Sequence, residues 1–200
     1  MKKNKDRVEY FEDKHEYLIN GVIVPSVSKL VAYATGNIYK DVPEFILEKA
    51  RTHGTKIHDA IEEFERTGNV DMECINEIET YRELKKKYML DVKSMEEIVH
   101  YKNHFCGRYD ILDAEGCLWD IKATSKYHQE NLEWQIGLYY LAMGKEKHSG
   151  YCLHIPKKGK AKVHLVRPKT NKECIELIET YEQANKTTTD KSENETISMA

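Results

Sequence analysis

Two aspartates and a lysine around a glycine turn carry the first chemical signal in this chain. Asp110 and Asp120 flank the short segment Ala114-Glu115-Gly116, and Lys122 follows Asp120 by two positions. The segments from Cys106 to Asp113 and from Cys117 to Lys122 alternate roughly between apolar and polar residues, as strands do. Gly116 can adopt the positive φ that closes a three-residue hairpin loop. If Asp113 pairs with Cys117, Asp110 lies directly opposite Asp120. Cross-strand partners stand about 4.5–5.5 Å apart at Cβ, where two like charges destabilise the sheet. Such a pair needs a cation, and Asp120→Ala is expected to raise the stability of the metal-free chain. Lys122 leaves its strand on the same face as Asp120, so two carboxylates and one ammonium converge. A hard divalent ion suits the site, because Mg²⁺ takes oxygen ligands and is commonly held by one or two carboxylates plus substrate phosphate. The chemistry that fits is in-line attack on phosphorus, with the lysine orienting the attacking water.

Two helical stretches must stand against that hairpin. The first runs from Pro43 to Arg66, where Ile57, Ile61 and Phe64 recur at helical spacing and His58, Glu62 and Glu65 form the neighbouring stripe. Spacing alone leaves His58 and Glu62 as a surface pair one turn apart. The second runs from Glu130 to Met143, apolar on more than one side, with Gly144 as its closing glycine. Gln135 and Tyr139 share a face of it. Without further information Tyr139 reads as a core aromatic whose hydroxyl finds a partner.

Taken together these segments form a pattern. Gly107-Arg108-Tyr109-Asp110, Asp120-Ile121-Lys122 and Gln135 with Tyr139 resemble the G-x-x-D, D-x-K and Q-x-x-x-Y motifs of the RecB-like branch of the PD-(D/E)XK nucleases, small phage and prophage members included. Gly54 to Glu62, with His58 between, is similar to that branch's G-x-x-x-H-x-x-x-E motif. The resemblance implies an α/β restriction-endonuclease-like fold, a mixed central sheet flanked by helices. It implies a metal-dependent deoxyribonuclease, an exonuclease acting in DNA recombination, repair or phage replication. Asp110 and Asp120 would be metal ligands, with the Ile121 carbonyl and His58 completing the site and Lys122 activating the water. Gln135 and Tyr139 would contact the DNA backbone. Glu62 and Glu97 are further candidate acids, Glu97 because related nucleases place an acid near the metals on the preceding strand. Imidazole is a more natural ligand for Mn²⁺ than for Mg²⁺, so Mn²⁺ is the expected preference. DNA, a homo-oligomer, and a single-strand annealing or recombination protein are the partners the resemblance implies. A silent DNA-binding relative, a structure-specific endonuclease and a hydrolase of RNA or nucleotides remain the alternatives.

The rest of the chain sets the frame. Two hundred residues with 40% hydrophobic and 32% charged side chains fit one nuclease-like domain over residues 1–186, with a hairpin at 8–24 and a polar, disordered tail at 187–200. Strands are expected at Tyr10-Phe11 and Tyr17 to Val24, around turns at Asp13-Lys14 and Asn20-Gly21. Helices are expected at Ser26 to Tyr33 with Ser26 as N-cap, Asp71 to Tyr88, and Asn171 to Ala184. Met95 to Tyr101 reads as a strand, and Tyr151 to Ile155 with Lys162 to Val166 as a second hairpin. From Lys145 to Lys169 eight Lys or Arg face the single acid Glu146, which makes Lys157 and Lys158 candidate phosphate contacts despite a net charge of −3. The five cysteines lack any C-x-x-C spacing, and only Cys174 lies near the C-terminus, so no iron–sulfur cluster is expected. No apolar run approaches the roughly 18 residues of a membrane span, and the charged start lacks a signal-peptide core. The expected location is the cytoplasm.

Overall fold

The computed structural model describes residues 6–11, 14, 16–36 and 38–197, with side chains to Lys186. Two sheets form. The smaller is a three-stranded antiparallel meander of β1 (Val8–Phe11), β2 (Glu16–Ile19) and β3 (Val22–Val24). Asn20 and Gly21, both at positive φ (53° and 82°), make the expected tight turn between β2 and β3. Asp13 of the expected first turn lies outside the described residues, as do Met1 to Lys5. Ser26 then caps α1 (Val27–Thr35), its hydroxyl accepting the Lys29 N–H at 3.2 Å.

The larger sheet has five strands in the order β4 (Val92–Tyr101), β5 (Phe105–Asp113), β6 (Leu118–Lys122), β7 (Gly150–His154) and β8 (Lys162–Val166). Every neighbouring pair is antiparallel except β6 and β7, which are parallel and joined across α4 (Gln129–Ala142). A parallel pair requires a crossover, and the apolar α4 supplies it. Consecutive residues of β6 and β7 feed opposite faces. Leu118 and Cys152 pack with α1, α4 and the last helix, α5 (Asn171–Ile197), while Trp119, Ile121 and Leu153 pack with α2 (Glu44–Thr67) and α3 (Ile75–Tyr88). The fold is thus a mixed sheet between helices, the class expected.

Close approach of α4 to its surroundings uses two glycines. A Cβ on Gly137 would lie 2.7 Å from the Lys169 carbonyl oxygen, and one on Gly107 would lie 2.7 Å from the Tyr139 ring and 2.6 Å from Val27. Tyr140 pins the opposite end of β6: its hydroxyl accepts the Leu118 N–H at 2.8 Å and donates to the Ser149 carbonyl at 2.9 Å. One boundary differs from expectation. The apolar periodicity of the last helix ends near Ala184, but its backbone continues to Ile197, since neither Gly nor Pro occurs after Pro168 to stop it. Among the described residues no helix is long and apolar enough to cross a membrane.

Candidate active site

The site is assembled where α2 crosses the open end of the β5–β6 hairpin. Asp113 N–H bonds the Cys117 carbonyl at 3.0 Å, and the ladder continues through Leu112↔Leu118 and Ile111↔Trp119. That is the expected register, and continued it would set Asp110 against Asp120. There the ladder opens instead. The next inward N–H, that of Ile121, is taken by the Asp110 carboxylate, Oδ2 at 2.6 Å. Asp110 thus replaces a strand carbonyl with one oxygen and keeps Oδ1 for the gap between the strands.

His58 closes that gap from α2. Its Nδ1 is 3.7 Å from Asp110 Oδ1 and 3.4 Å from Glu96 Oε1, and its Nε2 is 3.0 Å from the Ile121 carbonyl oxygen. When Nε2–H donates to that carbonyl, the Nδ1 lone pair of the neutral ring points at the two carboxylates. One donor atom from each of His58, Glu96 and Asp110 falls within 4.8 Å of the others. Glu96 lies between the pairs Met95↔Ile111 and Glu97↔Tyr109, hence opposite Asp110. Its φ is 51°, a left-handed backbone that costs a non-glycine residue about 1–2 kcal/mol.

Asp120 sits on the other side of the gap. Lys122 Nζ is 2.8 Å from both of its oxygens but is aligned for a hydrogen bond only with Oδ1, which also accepts from Gln135 Nε2 at 2.8 Å. Oδ2 is enclosed; among the described residues its partner is the Lys122 ammonium, and no aligned hydrogen bond reaches it. An ammonium at that distance offsets the charge of a buried carboxylate oxygen without filling all of its acceptor sites. Carboxylate oxygens with one imidazole nitrogen are also the donor types that hold a hard or borderline divalent ion. The residues present fit such an ion.

Charge is tightly coupled here. Burial alone would lower the His58 imidazole, but Asp110 and then the contact with Glu96 outweigh it and raise its pKa to about 9. Burial raises Asp120 to about 6; Lys122 opposes this and Asp110 adds to it. Burial disfavours the Lys122 ammonium, yet Asp120 and Asp110 more than compensate and hold it well above the ordinary lysine range. Each carboxylate therefore leans on a cation, and each cation on a carboxylate.

Comparison with solved structures identifies the architecture. An alkaline exonuclease from Laribacter hongkongensis superposes with a TM-score of 0.54 over 88% of this chain and 95% of that one, at 8% sequence identity. The chain shares the fold of that exonuclease. A phage-related exonuclease from Haemophilus somnus 129PT is also similar, with a TM-score of 0.43 over 78% of this chain and 88% of that one, at 11% identity. No protein-family model matches the sequence, and no curated protein matches it either.

Within this fold, His58 and Asp110 share a cluster with Glu96, Asp120 pairs with Lys122 beside it and outside that cluster, and the other candidates divide. The Ile121 carbonyl orients the His58 ring. Gln135 holds Asp120. Tyr139 is buried and donates its hydroxyl to the Arg108 carbonyl at 2.7 Å, so it anchors β5 rather than reaching outward. Glu62 is outside the cluster. Glu97 is exposed and accepts from the Tyr109 hydroxyl at 2.7 Å, turned away from the gap by the backbone twist at its neighbour. The acid that enters the site is Glu96. Lys157 and Lys158 lie exposed on the turn after β7, beyond the strand end that follows His154.

Two outcomes follow for the metal-free protein. The structure reverses the expectation for Asp120→Ala. Removing Asp120 strands the Lys122 ammonium, whose side chain is 29% exposed, and should cost about 2 kcal/mol rather than stabilise, less than the roughly 3–5 kcal/mol of a fully buried pair because Lys122 retains some water. A Tm above that of the wild type in EDTA would contradict this. His58, raised from 6.5 to about 9, contributes stability that is whole below about pH 6.5 and lost as pH rises through about 9, an effect on the order of 3 kcal/mol. The Tm gap between wild type and His58→Asn should therefore close between about pH 6 and pH 10, and a gap independent of pH would refute the assignment.

Proposed function

We propose that this chain is a divalent-metal-dependent deoxyribonuclease that hydrolyses phosphodiester bonds, working as one nuclease-like domain over residues 1–186. The observation that carries the reading is the opened hairpin end, where one donor atom from each of His58, Glu96 and Asp110 converges and the ion pair of Asp120 with Lys122 lies beside them. His58, Glu96, Asp110 and Asp120 would hold the ion, with Mg²⁺ or Mn²⁺ suited to their donor types. Bound there, the ion supplies a lowered water pKa and positive charge against the phosphoryl oxygens.

The protein's own groups supply the rest. Lys122, whose ammonium Asp120 and Asp110 favour in the metal-free site, acts as a donor that orients the attacking oxygen and offsets developing negative charge. Gln135 fixes the Asp120 carboxylate, and the Ile121 carbonyl fixes the His58 ring. Tyr139 holds the β5 backbone two residues before Asp110. Lys157, Lys158 and neighbouring lysines offer phosphate contacts away from the reacting bond, and these set affinity rather than rate. Likeness to the fold of an alkaline exonuclease favours exonucleolytic over restriction-like cutting, and a homo-oligomer and a single-strand annealing or recombination protein are the partners we propose.

The test is digestion of end-labelled linear DNA, closed circular DNA and RNA with Mg²⁺, Mn²⁺ or EDTA, using wild type and Lys122→Ala. The linear DNA should be lost only with metal, and Lys122→Ala should lower the rate by about 10²-fold or more while retaining much of the DNA binding. Wild-type rates in Lys122→Ala would overturn the mechanism. Retained binding with no cleavage by either protein would point to a silent DNA-binding fold.

A further inference from the structure

Arg108 is a second cation against the acidic row, and the mechanism above does not use it. Its Nε is 2.8 Å from Glu96 Oε2, while the other oxygen, Oε1, faces His58 Nδ1 at 3.4 Å. On its far side the guanidinium lies over the Tyr10 ring, 5.9 Å from the centroid, and Tyr10 is stacked on Tyr17 at 4.6 Å. The group is therefore held between the small N-terminal sheet and the carboxylate that enters the site. A guanidinium keeps its proton at any pH the fold survives, so this charge is permanent.

We propose that the Arg108 guanidinium stands where a second divalent ion would otherwise be held, so that Glu96, Asp110 and Asp120 take one divalent ion per chain. Charge and ligand supply both lead there. Three carboxylates face two fixed cations, Lys122 and Arg108, which leaves one net negative charge once His58 gives its Nδ1 lone pair to the ion in place of a proton. One divalent ion turns that into one positive charge, which a phosphodiester cancels. A second ion would leave the pocket strongly positive and would sit against the guanidinium, and it would find the outer oxygen of Glu96 already taken. The left-handed backbone of Glu96 fits this division, since it presents one carboxylate to two partners on opposite sides.

The inference rests on the reading of the His58, Glu96 and Asp110 cluster as a metal site, and its test needs no DNA. Metal-free wild type, Arg108→Gln and Arg108→Lys are titrated with Mn²⁺, and the number bound per chain is read by calorimetry and by loss of the free Mn²⁺ electron-paramagnetic signal. Wild type and Arg108→Lys should bind one ion. Arg108→Gln should bind two, the second at least tenfold more weakly than the first. Two ions on wild type or on Arg108→Lys would overturn the proposal, as would a single ion on an Arg108→Gln protein that circular dichroism shows folded. Should Arg108→Gln fail to fold, the wild-type and Arg108→Lys counts decide alone. No Mn²⁺ bound by wild type sinks the metal-site reading and this inference with it, whereas one ion bound by a protein that cuts no DNA sinks only the nuclease reading.

Discussion

Three carboxylates on three adjacent strands set the terms for the rest of this molecule. Glu96, Asp110 and Asp120 come from β4, β5 and β6, the first two opposite one another and the third across the point where the hairpin opens. Carboxylates so placed repel, and each has its own counter-group in a partly dry setting. Arg108 serves Glu96, Lys122 serves Asp120, and Asp110 has the Ile121 N–H and His58. The Asp120 oxygen that no aligned hydrogen bond reaches still has the Lys122 ammonium 2.8 Å away. Acids held together with a histidine nitrogen between them, as Glu96 and Asp110 are with His58, offer a ready set of ligands for a cation.

The larger architecture follows from holding those groups in place. α4 must approach β5 closely enough for Tyr139 to reach the Arg108 carbonyl and for Gln135 to reach Asp120, and Gly107 provides the space. α2 must lie across the hairpin end for His58 to bridge Ile121 to the carboxylates, and its buried Ile57 and Ile61, packed with Ile121, fix that crossing. The N-terminal sheet, which sequence reading treats as an accessory hairpin, supports the site through Tyr10 and Arg108. Helix packing, hydrogen bonding and charge thus bear on the same few side chains.

What the sequence revealed and what it hid have physical causes. The β5–β6 register was legible because a three-residue loop ending in Gly116 admits few closures, and the observed ladder agrees with it. The meeting of His58 with Asp110 was legible only from motif resemblance, since helical spacing cannot say what a helix crosses. Glu96 was missed in favour of Glu97. The choice between neighbours depends on counting back through the turn after Tyr101, where Tyr101 pairs with Phe105 and Lys102 is left-handed, and alternation within one strand carries no such count. Tyr139 resembled a DNA contact by motif and a buried anchor by its apolar surroundings, and the buried placement is the one observed. Repulsion between Asp110 and Asp120 was anticipated, but the degree to which Lys122 and Gln135 compensate it depends on side-chain geometry that spacing does not encode.

The central claim is that this acidic gap binds a divalent ion through His58, Glu96, Asp110 and Asp120. Crystals soaked in Mn²⁺ and measured at the manganese absorption edge test it most directly. The account predicts an anomalous peak within coordination distance of His58 Nδ1 and of carboxylate oxygens from Asp110 and Asp120. A gap without a peak, with manganese bound only at other surface acids, would contradict it.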